Sequence, residues 1–230
     1  ILNKYESSLI IIVVILTTST IGYLGLLFSL LFVTKTIRLR FIIFGFFLSI
    51  ISFNIAYKYA NEFKIRVDAA KGLWLDNNFH ISNTNTSSFV LFNNLHVAKE
   101  NLSTFPIFGT GLGSHETAFK KHTLTKTIIS YDFEFNVKDG NSLFVRLCTE
   151  TGLIGLFSVL FLIFKGFIYR SKYQNEDLYI NVVISQSIFI LFVLVLIRQG
   201  NYMLNGLPLL FLIYYYNFRE YNKKIESLEK

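Results

Sequence analysis

The sequence predicts an all-α membrane protein, a polytopic bundle of transmembrane helices with a large helical loop on its outer side. Three observations predict it. Long runs are apolar and nearly free of charge, basic residues gather in alternate connections between those runs, and one long polar segment, residues 58–141, interrupts them. The composition agrees, with 52% of the 230 residues hydrophobic and only 16% charged. Soluble domains carry about a quarter charged residues.

Residues 8–33 carry no charge and are long enough to cross a bilayer as a helix. Residues 37–57 form a second span, with Arg38 and Arg40 at its start. Residues 142–168 form a third, which carries Arg146 and Glu150. Residues 178–197 form a fourth, and 202–218 a shorter fifth with Asn205, Gly206 and Pro208 in its first turns. The chain thus divides into two spans at 1–57, the loop at 58–141, and three spans with a tail at 142–230. The chain starts at Ile1, and its first apolar run is too long for a signal peptide. Further spans are expected to precede it.

Charge placement orients the bundle. A net charge of +7 would suggest nucleic acid as a partner for a soluble protein. Here the basic residues flank the spans instead, as the positive-inside rule requires, and nucleic acid is not an expected partner. Lys35, Arg38 and Arg40 follow the first span, Lys165, Arg170 and Lys172 the third, and Arg219, Lys223 and Lys224 the fifth. If the spans alternate, all three groups fall on one side, which is then the cytoplasm. Segment 58–141 and the link 198–201 lie outside.

Within the loop, Phe63, Val67, Ala70 and Trp74 have helical spacing, which predicts an amphipathic interfacial helix over 59–75. Residues 77–87 are rich in Asn, Ser and Thr and read as a turn. Phe89, Phe92, Leu95 and Lys99 predict a helix over 88–102, capped by Ser87 or Ser88 and ending before Pro106. A glycine run, residues 109–113, and a mixed polar stretch, 120–140, complete the loop.

Few residues carry chemistry. Arg146 and Glu150 are four apart and share a helix face. Ionisable groups inside a span mark a functional interior, or else form an ion pair that fixes packing. Glu150 lies roughly 13 Å along the helix from Asn141, within reach of an outer cavity. Arg198 ends the fourth span, either snorkelling to the interface or aimed at a phosphate. The backbone N–H groups of Gly109-Thr110-Gly111-Leu112-Gly113 cradle an anion or form a plain flexible turn. The run lacks the lysine of a Walker A loop and the context of a dinucleotide fingerprint. His80, His96, His115 and His122 form no metal-binding motif, so neither metal nor cofactor is expected. The lone Cys148 allows no intrachain disulfide.

Two motifs then carry a resemblance. Phe105-Pro106-Ile107-Phe108-Gly109-Thr110-Gly111-Leu112-Gly113-Ser114-His115 resembles the glycine loop of the O-antigen ligase and O-antigen polymerase superfamily. Asn141-Ser142, Glu150-Thr151-Gly152 and Gly155-Leu156 resemble its Asn-Ser…Glu-x-Gly-x-x-Gly-Leu span. The order also matches, with a large outer loop ending in the glycine motif before the Glu-Gly helix. Arg198-Gln199-Gly200-Asn201-Tyr202 resembles the R-x-G-x-Y link of some bacterial members. Thr18-Ser19-Thr20-Ile21-Gly22 resembles a further span, with threonine where arginine is common.

The resemblance implies a GT-C-like bundle in the bacterial inner membrane, with a periplasmic loop. It implies a metal-independent, inverting glycosyltransferase that uses a polyprenyl-diphosphate-linked oligosaccharide. Such an enzyme extends O-antigen or surface-polysaccharide chains, or ligates them to a lipid A core. Gly140 stands where ligases commonly carry a histidine, which favours the polymerase. Membrane lipids and a chain-length regulator are the further partners it implies. The candidate catalytic residues are Arg198, Arg146, His115 and Glu150. The candidate substrate-binding residues are Gly109, Gly111, Gly113, Ser114, Asn141, Ser142, Arg66 and Tyr202. Two other classes remain open: a lipid-linked glycan transporter or flippase, and a membrane anchor with a structured outer domain.

Overall fold

The computed structural model describes residues 4–17, 19–33, 47, 50–51, 53–75, 86–124, 135–169, 176–202 and 206–229. Among them the regular structure is helical, with no strand. The helices are α1 (Lys4–Leu16), α2 (Thr20–Val33), α3 (Asn61–Trp74), α4 (Thr86–Thr104), α5 (His115–His122), α6 (Leu143–Lys165), α7 (Glu176–Arg198) and α8 (Leu207–Leu228). Residues 53–59 are helical as well. The basic turns with Lys35, Arg38, Arg40, Arg170 and Lys172 lie outside the described residues, as do His80 and Asn205 and most of the 77–87 turn.

Among the described residues α6 and α7 are long and apolar enough to cross a membrane. The expected first span is instead two helices, broken at Thr17–Ser19. There the Thr17 hydroxyl donates to Val14 O at 2.7 Å, and the Ser19 hydroxyl accepts from Gly22 N–H at 3.4 Å. Serine and threonine side chains compete for backbone partners in this way and end helices. The expected fifth span begins later, at Leu207, and α8 runs on through a charged half to Leu228.

α6, α7 and α8 pack antiparallel in turn. At one end the Arg146 guanidinium donates to Gly200 O at 3.0 Å, joining the start of α6 to the exit of α7. At the other, Tyr214 donates to Ile163 O at 2.7 Å, and Asn181 and Asn217 pair their side-chain amides at 2.9 Å. Between these ends Phe192 is buried, its ring 4.3 Å from that of Phe211. α2 lies against α7, with Gly25 facing Leu194 and the Phe32 ring 5.6 Å from that of Phe167. The C-terminal ends of α2 and α6 are therefore neighbours.

The loop helices stand on the first half of α6. α4 packs along it, and α5 bridges the two. The buried face of α4 differs from the expected one. Phe89, Val90, Asn93, Asn94, Val97, Ala98 and Asn101 point inwards, whereas Leu95 and Lys99 are exposed. The face is half amide, because it must bind backbone as well as exclude water. α5 has no counterpart in the sequence expectations. Its Ala118 and Phe119 pack on Val97 in a small core of their own.

Candidate functional site

The site grows from a break in α6. Gly152 has φ 60 and ψ −158, outside helical geometry, so two half-helices meet there. Each half leaves orphan backbone groups that need partners. The glycine loop supplies them. Thr110 N–H and Gly111 N–H donate to Thr149 O and Glu150 O at 3.1 and 2.8 Å. Pro106 O and Ile107 O accept from Leu153 N–H and Ile154 N–H at 2.9 and 3.1 Å. The loop thus splices the broken helix.

This changes the reading of the glycines. A Cβ on Gly109 would meet Glu150 backbone atoms at 2.6 Å, and one on Gly152 would meet Gly109 N at 2.6 Å. Gly109 and Gly152 are therefore close-approach residues, both in the left-handed region. The N–H groups of Gly109, Thr110, Gly111 and Ser114 are all committed to carbonyls of the chain, so these four are not free to cradle an anion. Gly113 faces open space. Ser114 Oγ stays within the loop, 2.6 Å from Gly111 O and from Thr110 Oγ1.

The splice fixes Glu150. Its side chain is fully buried. Oε1 accepts from Arg146 Nε at 2.8 Å and from His115 N–H at 3.4 Å, while Oε2 has no hydrogen-bond partner. Arg146 also lies over the Tyr202 ring, 4.2 Å from its centroid. The Tyr202 hydroxyl is buried and interacts with Glu150, yet among the described residues neither it nor Oε2 reaches hydrogen-bonding geometry with any group. Two open polar atoms thus face each other beside a guanidinium. Buried polar atoms are normally partnered, and such exceptions call for an explanation.

His115 is held in place on both sides. Asn94 Nδ2 donates to Val90 O at 2.9 Å and Phe135 O at 3.0 Å, which turns Asn94 Oδ1 towards the ring. Nε2 lies 3.0 Å from that oxygen and must donate to it, so the neutral ring carries its proton on Nε2. Nδ1 lies 3.2 Å from Thr149 Oγ1, whose hydroxyl donates to Val145 O at 3.0 Å. Burial pulls the imidazole down to about 4, helped by Arg146 and opposed by Glu150 and Asp139. The ring also fills the space beside Gly140, where a Cβ would lie 3.0 Å from Nε2.

The remaining candidates divide into frame and free groups. Ser142 caps α6, its Oγ accepting from Val145 N–H at 3.3 Å and donating to Leu196 O at 2.6 Å. Asn141 takes a left-handed φ of 57, with its N–H donating to Asp139 Oδ1 at 3.0 Å. Gly200 lies so close to Asp139 O that no side chain fits there. Arg198, partly buried at the end of α7, has no ion pair or hydrogen bond among the described residues. Arg66 is exposed on α3, which packs on α4 and not on α6, so it is not brought to the site.

Sequence reasoning missed Asn94 and Asn101. Asn101 donates to Thr149 O at 2.9 Å and so braces the splice. Their spacing of seven, on the same face as Val90 and Val97, was the available signal. Among the described residues no group of three or more His, Cys, Asp and Glu side chains is placed to hold a metal ion. Comparison of the chain with protein-family models, with curated proteins and with solved structures found no match.

Proposed function

We propose that this chain is the catalytic part of a membrane-embedded glycosyltransferase of the O-antigen polymerase type, GT-C-like in fold. It acts on a polyprenyl-diphosphate-linked glycan at the periplasmic face of the bacterial inner membrane. The observation that carries this reading is the Arg146–Glu150–Tyr202 cluster with its two buried open oxygens, with Arg198 in the last turn of α7, two residues before the Gly200 carbonyl that Arg146 binds. The exposed Phe108 and Leu112 of the splicing loop fit a lipid-facing surface at that depth.

In this reading an acceptor hydroxyl attacks the anomeric carbon of the donor glycan. The bond from that carbon to the diphosphate oxygen breaks, and polyprenyl diphosphate leaves. The hydroxyl proton passes to Glu150 Oε2, the carboxylate oxygen that neither Arg146 nor His115 N–H engages. Arg198 faces the charge that grows on the leaving diphosphate, where fixed cations lower the barrier most. His115, with both ring nitrogens engaged, positions α5 and Glu150 and is not the base. Gly140, which opens room for that ring, keeps the polymerase ahead of the ligase.

Arg198→Ala tests the reading without disturbing a brace, because among the described residues Arg198 makes no hydrogen bond or ion pair. We expect chain extension to fall by roughly two to three orders of magnitude with protein level unchanged. A wild-type polymer ladder from that variant would remove Arg198 from the site. A second reading is favoured by one observation, the break at Gly152, since carriers also place their sites at broken helices. Supplying a polyprenyl-diphosphate repeat unit separates the classes. Growth of the lipid-linked chain marks a polymerase, transfer to a lipid A core a ligase, and translocation with no new glycosidic bond a carrier.

A further inference from the structure

A groove of about 910 Å³ runs between the last turn of α6 and the length of α8, at the opposite end of α6 from the site. Its lining is sorted by level. Along α8 it is mainly apolar from Pro208 to Phe218, and charge begins at Arg219. At 1.5 Å per residue that apolar stretch spans about 15 Å, half the hydrocarbon thickness of a bilayer. On α6 the same boundary falls between Leu162 and Lys165. Lys165, Arg219 and Lys223 therefore line the same end of the groove, the last two about 6 Å apart along α8, towards the depth where the phosphates of a leaflet would lie.

These cations lack anionic partners. Among the described residues none of the three forms an ion pair, and Lys165 rests over the Phe161 ring at 5.5 Å. The one carboxylate in the lining is Glu226. By contrast Lys224, outside this groove, is paired with Glu220 at 2.7 Å. The groove thus presents apolar walls and a group of cations together. A lipid with an anionic headgroup satisfies both.

We propose that this groove holds an anionic phospholipid, its phosphate between Lys165, Arg219 and Lys223 and an acyl chain along Phe211 and Leu212. The proposal rests on the membrane reading above but not on glycosyl transfer.

The test uses the purified chain in neutral detergent, offered phosphatidylglycerol and phosphatidylcholine in equal amounts, with retained lipid counted by native mass spectrometry. We expect preferential retention of phosphatidylglycerol, a preference reduced roughly tenfold or more in R219Q/K223Q and unchanged in K224Q. L212W fills the groove, keeps every charge, and should reduce retention of both lipids. K165Q gives an independent reading if the double variant does not fold. Equal retention of the two lipids by the wild type would overturn the proposal. So would an unchanged preference in R219Q/K223Q or K165Q, full retention by L212W, displacement of the lipid by glycerol phosphate, or a second protein copy in its place. Carbonate extraction of membranes reads the underlying premise separately. A chain released to the soluble fraction overturns both, whereas a membrane-held chain without the lipid preference overturns the groove alone.

Discussion

Arg146 and Glu150 are held by each other, and the two are not equivalent. Glu150 is fully buried, and among the described residues the guanidinium is its only cationic partner within hydrogen-bonding distance. Arg146 keeps Gly200 O and the Tyr202 ring if the carboxylate is lost. Removing Arg146 strands a buried anion, which costs about 3–5 kcal/mol. We therefore expect Arg146→Ala to melt far below the wild type, Glu150→Gln to melt much nearer to it, and R146A/E150Q to recover part of the loss. Equal melting of R146A and the double variant in detergent would show that the pair is not the unit described.

His115 gives a pH dependence with a definite sign. In the unfolded chain an imidazole titrates near 6.5, and in the fold burial lowers it to about 4. The unfolded chain therefore binds the extra proton over that window, so its contribution to stability is complete above about pH 6.5 and is lost as pH falls to about 4. The loss is roughly 3 kcal/mol. His115→Gln should flatten this part of the profile, measured as melting temperature against pH with the wild type alongside. A wild-type slope that survives the substitution would assign the titration to another group.

At the scale of elements the splice is the main device. Gly109 and Gly152 combine a left-handed φ with backbone atoms at contact, and backbone cannot move aside as a side chain can. Gly109→Ala and Gly152→Ala should each cost about 3 kcal/mol or more. Gly113→Ala meets nothing and bears only the conformational cost of about 1 kcal/mol. Similar melting shifts for all three would mean that close approach is not what the glycines serve. This device was hard to read in the sequence. An isolated glycine inside an apolar run reads as a tolerated residue in one continuous span, and only the partner loop reveals the break. The glycine run invited an anion because its N–H groups looked free, whereas those of Thr110 and Gly111 are taken by Thr149 O and Glu150 O in α6. The end of α4 before Pro106 was legible, because proline restricts the residue before it. Its buried face was not, since Asn93, Asn94 and Asn101 replace apolar residues where backbone must be bound.

At the scale of the molecule, the packing defines two ends, and charge distinguishes them. Ser142, Asp139 and Gly200 gather at one end. Gly166 and Tyr214 meet towards the other, where Phe32 approaches Phe167 and where Lys165 and Arg219 line one groove. The apolar part of α8, Leu207 to Phe218, is roughly 18 Å long and too short by itself to fix a crossing. Its register comes from α6 and α7, through Tyr214 on Ile163 O and Asn217 on Asn181. That places Ser227 at the basic end whatever the hydropathy of α8. In the proposed membrane reading, the positive-inside rule makes this end cytoplasmic and puts Lys121, exposed on α5, outside. Single cysteines test the assignment cleanly, because the native Cys148 is buried and should stay unlabelled. In intact cells with a permeable outer membrane, a membrane-impermeant maleimide should label K121C at once and S227C only after the inner membrane is opened. Labelling of S227C in intact cells, with K121C protected, would invert the topology and move the Glu150 cluster to the cytoplasmic face, where it could not meet an outward-facing lipid-linked glycan.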